Sequence, residues 1–369
     1  MRRKSENFHD GATDGLEPLA PLDLDRVQDF DDLLRAMSRT AFGGRSLGEA
    51  AEVLTEMVQD PDLTIIGTFS GAMSVAKMGL LICHMIDRGW LQVIITTGAL
   101  IAHGFIETLG KVHYKYPGHL SDRELYLQGY NRIYDTLEME ANLDYAEEVF
   151  RKVLQRLDPG EVWSSSTLCR ELGKYLAEHT ASPGILRNAY LKGVPVFIPA
   201  FTDSELGLDL AIHMARQALE SGNPFPEALS HLSIKFNPFL DLAAYAQKVL
   251  TARKLGIFTI GGGVPRNWAQ QVGPFLELLH SRLDLDLPEL RFHYGVRLCP
   301  EPPHWGGLSC CTFKEGVSWG KFVSAQDGGR FAEVLCDATI AWPVLLKAVS
   351  QRLQKGGQKK GNPDPVGIP

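Results

Sequence analysis

The chain of 369 residues lacks the patterns that commonly tie a fold to a metal or to disulfide bonds. Its 6 cysteines form no CxxC pair, and its 11 histidines form no HxxH or HxxxH pair. These absences argue against a metal site and against a disulfide framework. We therefore expect reduced thiols in a cytoplasmic protein.

A membrane span and a secretory signal are also not expected. The most apolar stretch, residues 91–109, is interrupted by polar side chains such as Gln92 and Glu107, and its β-branched start is typical of a buried strand. Residues 5–17 are polar, which is not the pattern of a signal peptide. With 44% hydrophobic residues and a net charge of −7, the chain has the composition of a globular enzyme and no basic footprint for nucleic acid.

Composition divides the chain into three parts. Residues 1–20 are rich in Gly, Asp, Glu and Pro, and residues 351–369 carry Lys, Gly and Pro with few apolar side chains. Both ends are predicted to be flexible. Residues 21–350 show neither an internal repeat nor a linker, which predicts one catalytic domain.

Apolar segments alternate with helical patterns through this middle part. Strands are predicted at 63–69, 91–95, 194–198, 257–260, 291–298 and 332–335. The alternation favours a Rossmann-like, doubly wound α/β fold with a mostly parallel sheet and helices on both faces. Two polar helices are also predicted, at 121–137 and 143–157, the first opening with a capping box formed by Ser121 and Glu124.

Small and polar residues follow several of the predicted strands, where such a sheet binds its ligands. Gly261-Gly262-Gly263 would let backbone N–H groups approach a phosphate, and Thr97 and Ser70 add hydroxyl groups at two other strand ends. Acids after strands often accept ribose hydroxyls, which suits Asp203 and Asp337. Each of these residues could instead form a turn or cap a helix.

Lys321 is the strongest candidate nucleophile. It ends the sequence Ser318-Trp319-Gly320-Lys321, where a glycine turn beside an indole would remove part of its hydration. Loss of hydration lowers the pKa of a lysine and makes its amine available for imine chemistry. Glu315 could pair with a cationic substrate, and tryptophans nearby could offer cation–π faces. The alternative is a solvated surface lysine near packed aromatic side chains.

Together these residues resemble the deoxyhypusine synthase family. The resemblance covers about residues 21–349 and is carried by segments 40–44, 63–74, 94–98, 129–133, 195–207, 260–264 and 317–321, with Asp337 and Ala338 after them. It implies that Lys321 forms an imine with an aminobutyl group taken from a polyamine, and that NAD accepts and then returns a hydride. It also implies a homotetramer with sites at dimer interfaces.

The resemblance also implies site residues. The NAD contacts would come from Ser70, Ser74, Thr97, Gly98, Asp203, Gly263, Asp337 and Ala338. The amine channel would be lined by Glu315, Trp319 and Lys321.

The chain departs from the family mainly in its amine pocket. Family acids are replaced by Ala102, His103, Leu208 and Leu308, a family histidine aligns with Trp268, and a family asparagine aligns with Gly71. A buried ammonium without a carboxylate partner is costly, so spermidine in its usual pose is not favoured. Asp209, one place after Leu208, and His103 stay candidates for substrate binding, and Trp268 with Glu315 would suit a guanidinium or a shorter diamine.

These observations predict an NAD-dependent transferase of alkylamine groups between small polyamines such as putrescine, agmatine or spermidine, as in homospermidine formation. Two alternatives stay open. One is deoxyhypusine formation on a lysine of a translation factor with spermidine as donor. The other is a non-catalytic NAD-binding paralogue.

Overall fold

A computed structural model describes residues 3–307 and 309–356, and its centre is a six-stranded sheet with the order β11-β10-β9-β1-β2-β7. Each neighbouring pair in this sheet runs parallel. The strands of the chain are β1 (Leu63–Phe69), β2 (Val93–Thr96), β3 (Tyr114–Lys115), β4 (Tyr130–Ile133), β5 (Thr136–Met139), β6 (Val162–Trp163), β7 (Val196–Phe197), β8 (Lys235–Phe236), β9 (Lys254–Ile260), β10 (Phe292–Leu298) and β11 (Arg330–Val334).

Helices connect these strands and cover the sheet. They are α1 (Phe30–Ser38), α2 (Phe42–Gln59), α3 (Gly79–Asp87), α4 (Gly98–Thr108), α5 (Asp122–Leu127), α6 (Glu140–Leu154), α7 (Ser165–His179), α8 (Ile185–Lys192), α9 (Glu205–Glu220), α10 (Phe239–Leu250), α11 (Gly263–Gln270), α12 (Val272–Leu283), α13 (Phe313–Val317) and α14 (Ala338–Lys355), with short 3₁₀ turns at Ser5–Asn7, Leu24–Arg26 and Glu227–Ser230.

The sheet is buried on both faces. Neighbouring residues of one strand point to opposite sides, so Ile65 packs into one apolar cluster and Ile66 into the other. Helices α2, α3, α4 and α14 pack on the first face, and α10, α11 and α12 pack on the second. The predicted doubly wound α/β fold is confirmed, and the continuous apolar strands reflect burial on both sides.

The predicted helix at 121–137 is wrong beyond its first turns. The capping box of Ser121 and Glu124 is present, but α5 ends at Leu127 and a hairpin of β4 and β5 follows. Gly129 has φ 72° and Tyr134 has φ 54°, backbone conformations that a right-handed helix does not contain. The polar alternation of 130–139 therefore belongs to an antiparallel sheet of β3, β5 and β4, and α6 begins at Glu140 rather than at 143.

The last helix runs further than the sequence pattern indicates. α14 continues to Lys355, so the predicted boundary at 351 lies within it. The reason is an ion pair, because the Arg352 Nε donates to Asp31 Oδ1 at 2.6 Å and Lys355 pairs with Asp29 and Asp32 on α1 or at its cap. Residues 357–369 lie outside the described part of the chain, and the flexible ends and single domain stay predictions.

The structure has all six cysteines as free thiols. Within residues 3–307 and 309–356, none of the helices is both long and apolar enough to cross a bilayer.

The ion pair between Arg352 and Asp31 generates the first prediction. Asp31 is 1% exposed, and although burial alone would raise its pKa, hydrogen bonds from Arg352 and Arg35 hold that pKa below its usual value. Arg352→Met would leave this carboxylate short of a partner, and we expect the free energy of unfolding to fall by about 3 kcal/mol in a denaturant titration. The control Arg88→Met, at the exposed C-terminal cap of α3, should change it by less than about 0.5 kcal/mol. Equal stability of the two variants would contradict this account.

Candidate functional site

The candidate site begins where the strand order reverses. β9 returns to lie beside β1, on the side opposite β2, so the crossover point lies between β1 and β9. Ser70 follows β1, and the glycine run follows β9, at the same carboxyl edge of the sheet. Such a point is where open α/β sheets bind their ligands.

The two loops touch at this point. The Ser70 hydroxyl contacts the carbonyl of Gly262, and the Gly262 N–H donates to Ser70 Oγ at 3.2 Å. A Cβ atom at position 262 would collide with the carbonyl oxygen of Ser309. Glycine is therefore required here because three backbone segments approach one another closely.

The start of α11 has no capping side chain. Gly262 occupies the cap position and has no side chain to accept from the first turn, and Gly263 opens the helix with φ 62°. The first N–H groups of a helix carry partial positive charge and bind phosphate when no side chain satisfies them. This fits the pyrophosphate of a dinucleotide.

Thr97 and Ser74 frame the other side of the β1 loop. The Thr97 hydroxyl donates to the Gly71 carbonyl at 2.6 Å and caps α4, which opens at Gly98. Ser74 is buried, and its hydroxyl donates to the Leu100 carbonyl at 2.8 Å. Both side chains therefore hold the loop in place, and Thr97 is the more accessible of the two.

The predicted acids Asp203 and Asp337 lie at opposite ends of the carboxyl edge of the sheet. Asp203 is exposed after β7, and Ser204 rather than Asp203 caps α9. Asp337 follows β11 at the opposite side of the sheet and caps α14 through Thr339, with Ala338 buried behind it. Among the predicted NAD contacts, the structure therefore groups Ser70, Thr97, Gly98 and Gly263 and leaves the acids at the flanks.

Lys321 is held firmly by its backbone. Its N–H donates to the Gly316 carbonyl at 3.1 Å, and its carbonyl accepts from Phe292 at 3.0 Å. The next residue, Phe322, is fully buried against Phe292 and Phe313. The side chain of Lys321 thus starts from a rigid point.

The groups that contact the amine of Lys321 are an amide and an indole. Its Nζ donates to Asn267 Oδ1 at 3.3 Å and lies 5.9 Å from the centroid of the exposed Trp319 ring. Burial lowers the pKa of Lys321, and the positive charge of Arg266 lowers it further, while Glu315 acts weakly in the opposite direction. Exposed Glu315 is therefore near but not a hydrogen-bond partner.

Two buried arginines explain the positive field behind Lys321. Arg266 and Arg297 donate to the same carbonyl, that of Cys311, at 2.7 and 2.6 Å, and both lie over the ring of Phe313. Glu333 pairs with Arg297 at 3.0 Å. The carboxylate thus pairs with Arg297 alone, and burial together with the charge of Arg297 lowers the pKa of Arg266 to about 10.

Trp268 does not face Lys321. It packs against Tyr245 and Phe197, with ring centroids 5.0 and 5.7 Å apart, whereas its neighbour Asn267 contacts the lysine. The half-buried indole packs at the border of the apolar cluster, and the predicted contact of Trp268 with a substrate stays a prediction.

A second feature lies on the other face of the sheet. Helices α4, α6 and α9 enclose a cavity of about 400 Å³ that includes Ala102 and Leu208, two positions where the family acids were expected. Its walls carry the acids Glu140, Asp144, Glu147, Glu205 and Asp209, with one arginine, Arg216. Negative charge missing at positions 102 and 208 is therefore present on neighbouring side chains.

The pKa of Asp209 is raised in this cavity. Burial raises its pKa to about 7, and repulsion from Glu147 and Glu205 adds to the effect. Arg216 pairs with Glu147 at 3.1 Å, which leaves several other carboxylates without a cation. The cavity therefore favours a cationic ligand.

His103 is buried beside this cavity and belongs to a hydrogen-bonded cluster. Its Nδ1 lies 3.3 Å from Glu138 Oε2, and His113 Nε2 lies 2.6 Å from the same oxygen. Asn142 donates to the other carboxylate oxygen at 2.7 Å. Although burial alone would raise the pKa of Glu138, these hydrogen bonds hold it far below its usual value.

The donor atoms of His103, His113 and Glu138 lie close enough together to suggest a metal ion, but the contact of His113 with Lys77 opposes one. Lys77 Nζ lies 2.7 Å from His113 Nδ1, and an ammonium has only donors, so Nδ1 must accept. The proton of a neutral His113 then sits on Nε2 and points to Glu138, which leaves no lone pair for a metal.

Lys321 and the acidic cavity do not meet within one chain. Phe322 and α11 pack in the cluster that contains Ile66, whereas Ala102 and α9 pack in the cluster that contains Ile65. The predicted set of Lys321, Glu315 and Trp319 is brought together on one face, and the set of His103 and Asp209 on the other. Leu308 lies outside the described residues.

Some site residues were missed in the sequence. Arg266 and Asn267 lie in the first turns of the helix after the glycine run, where a ligand-facing position could have been expected. Glu140, Asp144 and Glu147 repeat at helical spacing, so they share a face of α6. That helical spacing could be recognised in the sequence, whereas the hydrogen bond of Arg266 to the Cys311 carbonyl could not.

Comparison with known proteins gives consistent results. The family model "Deoxyhypusine synthase" matches residues 32–349. "Probable deoxyhypusine synthase 2" of Methanosarcina mazei is 33% identical over 337 residues, covering 91% of this chain and 90% of that protein. The "Deoxyhypusine synthase-like protein" of Chlorobaculum parvum is 31% identical, covering 85% of this chain and 84% of that protein.

A solved structure supports the fold. The crystal structure of a "putative deoxyhypusine synthase from Entamoeba histolytica" superposes with a TM-score of 0.56 and 14% identity, covering 89% of this chain and 96% of that one. The family model spans most of the chain, and the matched region contains the β1–β9 loops and Lys321. The chain therefore belongs to the deoxyhypusine synthase family, a family of transferases.

Proposed function

We propose that the protein is an NAD-dependent transferase of alkylamine groups that acts through an imine on Lys321, with small polyamines as donor and acceptor. The main observation in support is that the half-buried amine of Lys321 lies beside a neutral amide and a buried guanidinium, because this setting favours the uncharged amine. An uncharged amine can attack the carbon of an imine, and the ammonium form cannot.

The loops at the β1–β9 crossover support NAD as cofactor. Ser70, Thr97 and the opening of α11 at Gly263 would hold the pyrophosphate, and Asp203 or Asp337 would reach ribose hydroxyls. NAD supplies a hydride acceptor when bound.

The acidic cavity supports a polyamine as substrate. A diamine carries two ammonium groups, and the walls offer carboxylates on both α6 and α9. The loss of acids at 102, 103 and 208 therefore does not remove the attraction for cations, although it moves the charges. Their new positions favour a substrate other than spermidine in its usual pose, such as putrescine or agmatine.

A complete site would need two copies of the chain. Lys321 and the cavity lie on opposite faces of the sheet, so we propose that the cavity of one copy faces Lys321 of another in a homotetramer. Exposed apolar residues near both features, such as Leu208 (61% exposed) and Trp319 (66% exposed), fit burial between copies. A sedimentation measurement that finds only monomers in the active enzyme would contradict this arrangement.

The second candidate is deoxyhypusine formation on a lysine of a translation factor. Matches to proteins named for that activity favour it. The altered acids around Ala102 weigh against it. A non-catalytic paralogue is the third candidate, and the environment of Lys321 argues against it.

The test is an amine screen. The protein is incubated with NAD and putrescine, agmatine or spermidine, and condensed products are sought by mass spectrometry. A second arm offers labelled spermidine and a translation factor of the same organism. A homospermidine-type product supports the proposal, labelled factor supports the second candidate, and no product in either arm rejects both.

Lys321→Ala should abolish transfer and leave the fold and NAD affinity intact, because the amine forms the covalent link and touches no backbone. We expect a loss on the order of 10³-fold or more in product formation. Borohydride trapping followed by peptide mass spectrometry should show an adduct on Lys321 in the parent protein only. The control is Lys314→Ala, an exposed lysine of α13 that should behave as the parent. Loss of NAD binding in Lys321→Ala would show that the lysine has a different role.

Asp209→Asn should stabilise the protein more as the pH rises. The carboxyl of the unfolded chain ionises near pH 4, whereas the folded pKa is about 7, so the folded state is progressively disfavoured between these values. Removing the charge should therefore give no gain at pH 4 and roughly 2 kcal/mol at pH 8, allowing for partial solvent contact. Denaturant titrations across this range measure it. Asp144→Asn, an exposed acid of the same cavity, serves as control, and identical pH dependence in both variants would contradict the assignment.

A further inference from the structure

His103 has the surroundings of an oriented base rather than of a packed histidine. Its Nδ1 faces Glu138 Oε2 at 3.3 Å, and its Nε2 lies 4.0 Å from Glu205 Oε1. Glu205 lines the acidic cavity, so the imidazole has one nitrogen toward a buried carboxylate and the other toward the cavity wall.

The hydrogen bonds determine which nitrogen of His103 carries the proton. Glu138 is fully buried and accepts from His113 and from Asn142. His113 Nε2 already carries a proton, because Lys77 donates to its Nδ1. The His103 Nδ1, which lies 3.4 Å from that Nε2 and close to the ionised carboxylate, is therefore a donor. A neutral His103 then has its lone pair on Nε2, on the side of Glu205, the wall residue that lies between the imidazole and the cavity.

A cationic amine in the cavity needs such an acceptor. At neutral pH an alkylamine binds as an ammonium, whose nitrogen has no lone pair to react. The wall acids attract the cation; an ordinary carboxylate is too weak a base to remove its proton efficiently, and Asp209, whose pKa burial raises to about 7, is the competing base in the wall. Imidazole titrates nearer to neutral pH, and a buried carboxylate behind it stabilises the imidazolium that forms.

We propose that His103 is the base that takes the proton from the amine held in the acidic cavity. In this step the N–H bond of the bound ammonium breaks, its proton moves to His103 Nε2, and the electron pair stays on the amine nitrogen. Glu138 and His113 are positioning residues that hold the imidazole. This inference rests on the proposed function, since it requires that the cavity binds the reacting amine.

The test compares His103→Asn with two other histidine variants. Asparagine can keep the donor to Glu138 and removes the Nε2 base. His213→Asn, a buried histidine of α9 outside the cluster, is the matched control for loss of a buried imidazole. His113→Asn tests the positioning role. Circular dichroism and thermal unfolding first establish that each variant is folded.

Two readouts decide the outcome. With the best amine of the screen, His103→Asn should lower the rate at pH 7 by about 10²–10⁴-fold, and the rate should recover steadily as the pH is raised and the free amine becomes available. Calorimetric affinity of the cofactor-free protein for the same amine should stay within about threefold of the parent, because the wall acids remain. His113→Asn should lose less activity, and His213→Asn should keep the parent rate and pH profile.

Failure of the inference differs from failure of the proposed function. A parent protein that converts no amine overturns the proposed function and the inference with it. An active parent with an unchanged rate in His103→Asn, or with the same fractional loss at every pH, overturns the inference alone. Loss of amine affinity in His103→Asn also overturns it, because the residue would then be a binding or structural residue.

Discussion

The return of β9 to the side of β1 is the constraint on which the site depends. Because all six strands of the central sheet run parallel, the loops after β1, β2 and β9 meet at one edge. Ser70 and Gly262 form a hydrogen bond there, and the carbonyl of Ser309 leaves no room for a side chain larger than hydrogen at position 262. The same crossover positions α11, and α11 carries both Arg266 and Asn267 toward Lys321.

Charge is distributed differently on the two faces of the sheet. On one face, the buried guanidinium of Arg266 acts on Lys321 while Glu333 pairs with Arg297, so the surroundings oppose a positive charge on the amine. On the other face, α6 and α9 collect carboxylates around a cavity, so the surroundings oppose a further negative charge, as the raised pKa of Asp209 shows. Such a pair of environments would favour a cationic substrate on one face and a neutral lysine on the other.

Much of this could be predicted from the sequence, and the errors have physical causes. The strand ends and the glycine run were found because buried parallel strands are continuous apolar segments followed by turn residues. The helix at 121–137 was wrong because its capping box is genuine, whereas the chain turns at Gly129 and pairs β4 with β5. The packing of Trp268 against Tyr245 and Phe197 was not predicted, because these partners lie far away in the chain.

The sequence by itself determined the fold class and the family and singled out Lys321 as the candidate nucleophile, because these depend on local patterns and short motifs. Only the tertiary structure decided that Asn267 and Arg266 surround Lys321, that acids of α6 replace those missing at Ala102 and Leu208, and that His103 is held by Glu138. Such contacts join residues tens or hundreds of positions apart. Their geometry depends on how helices pack against the sheet, which no local pattern contains.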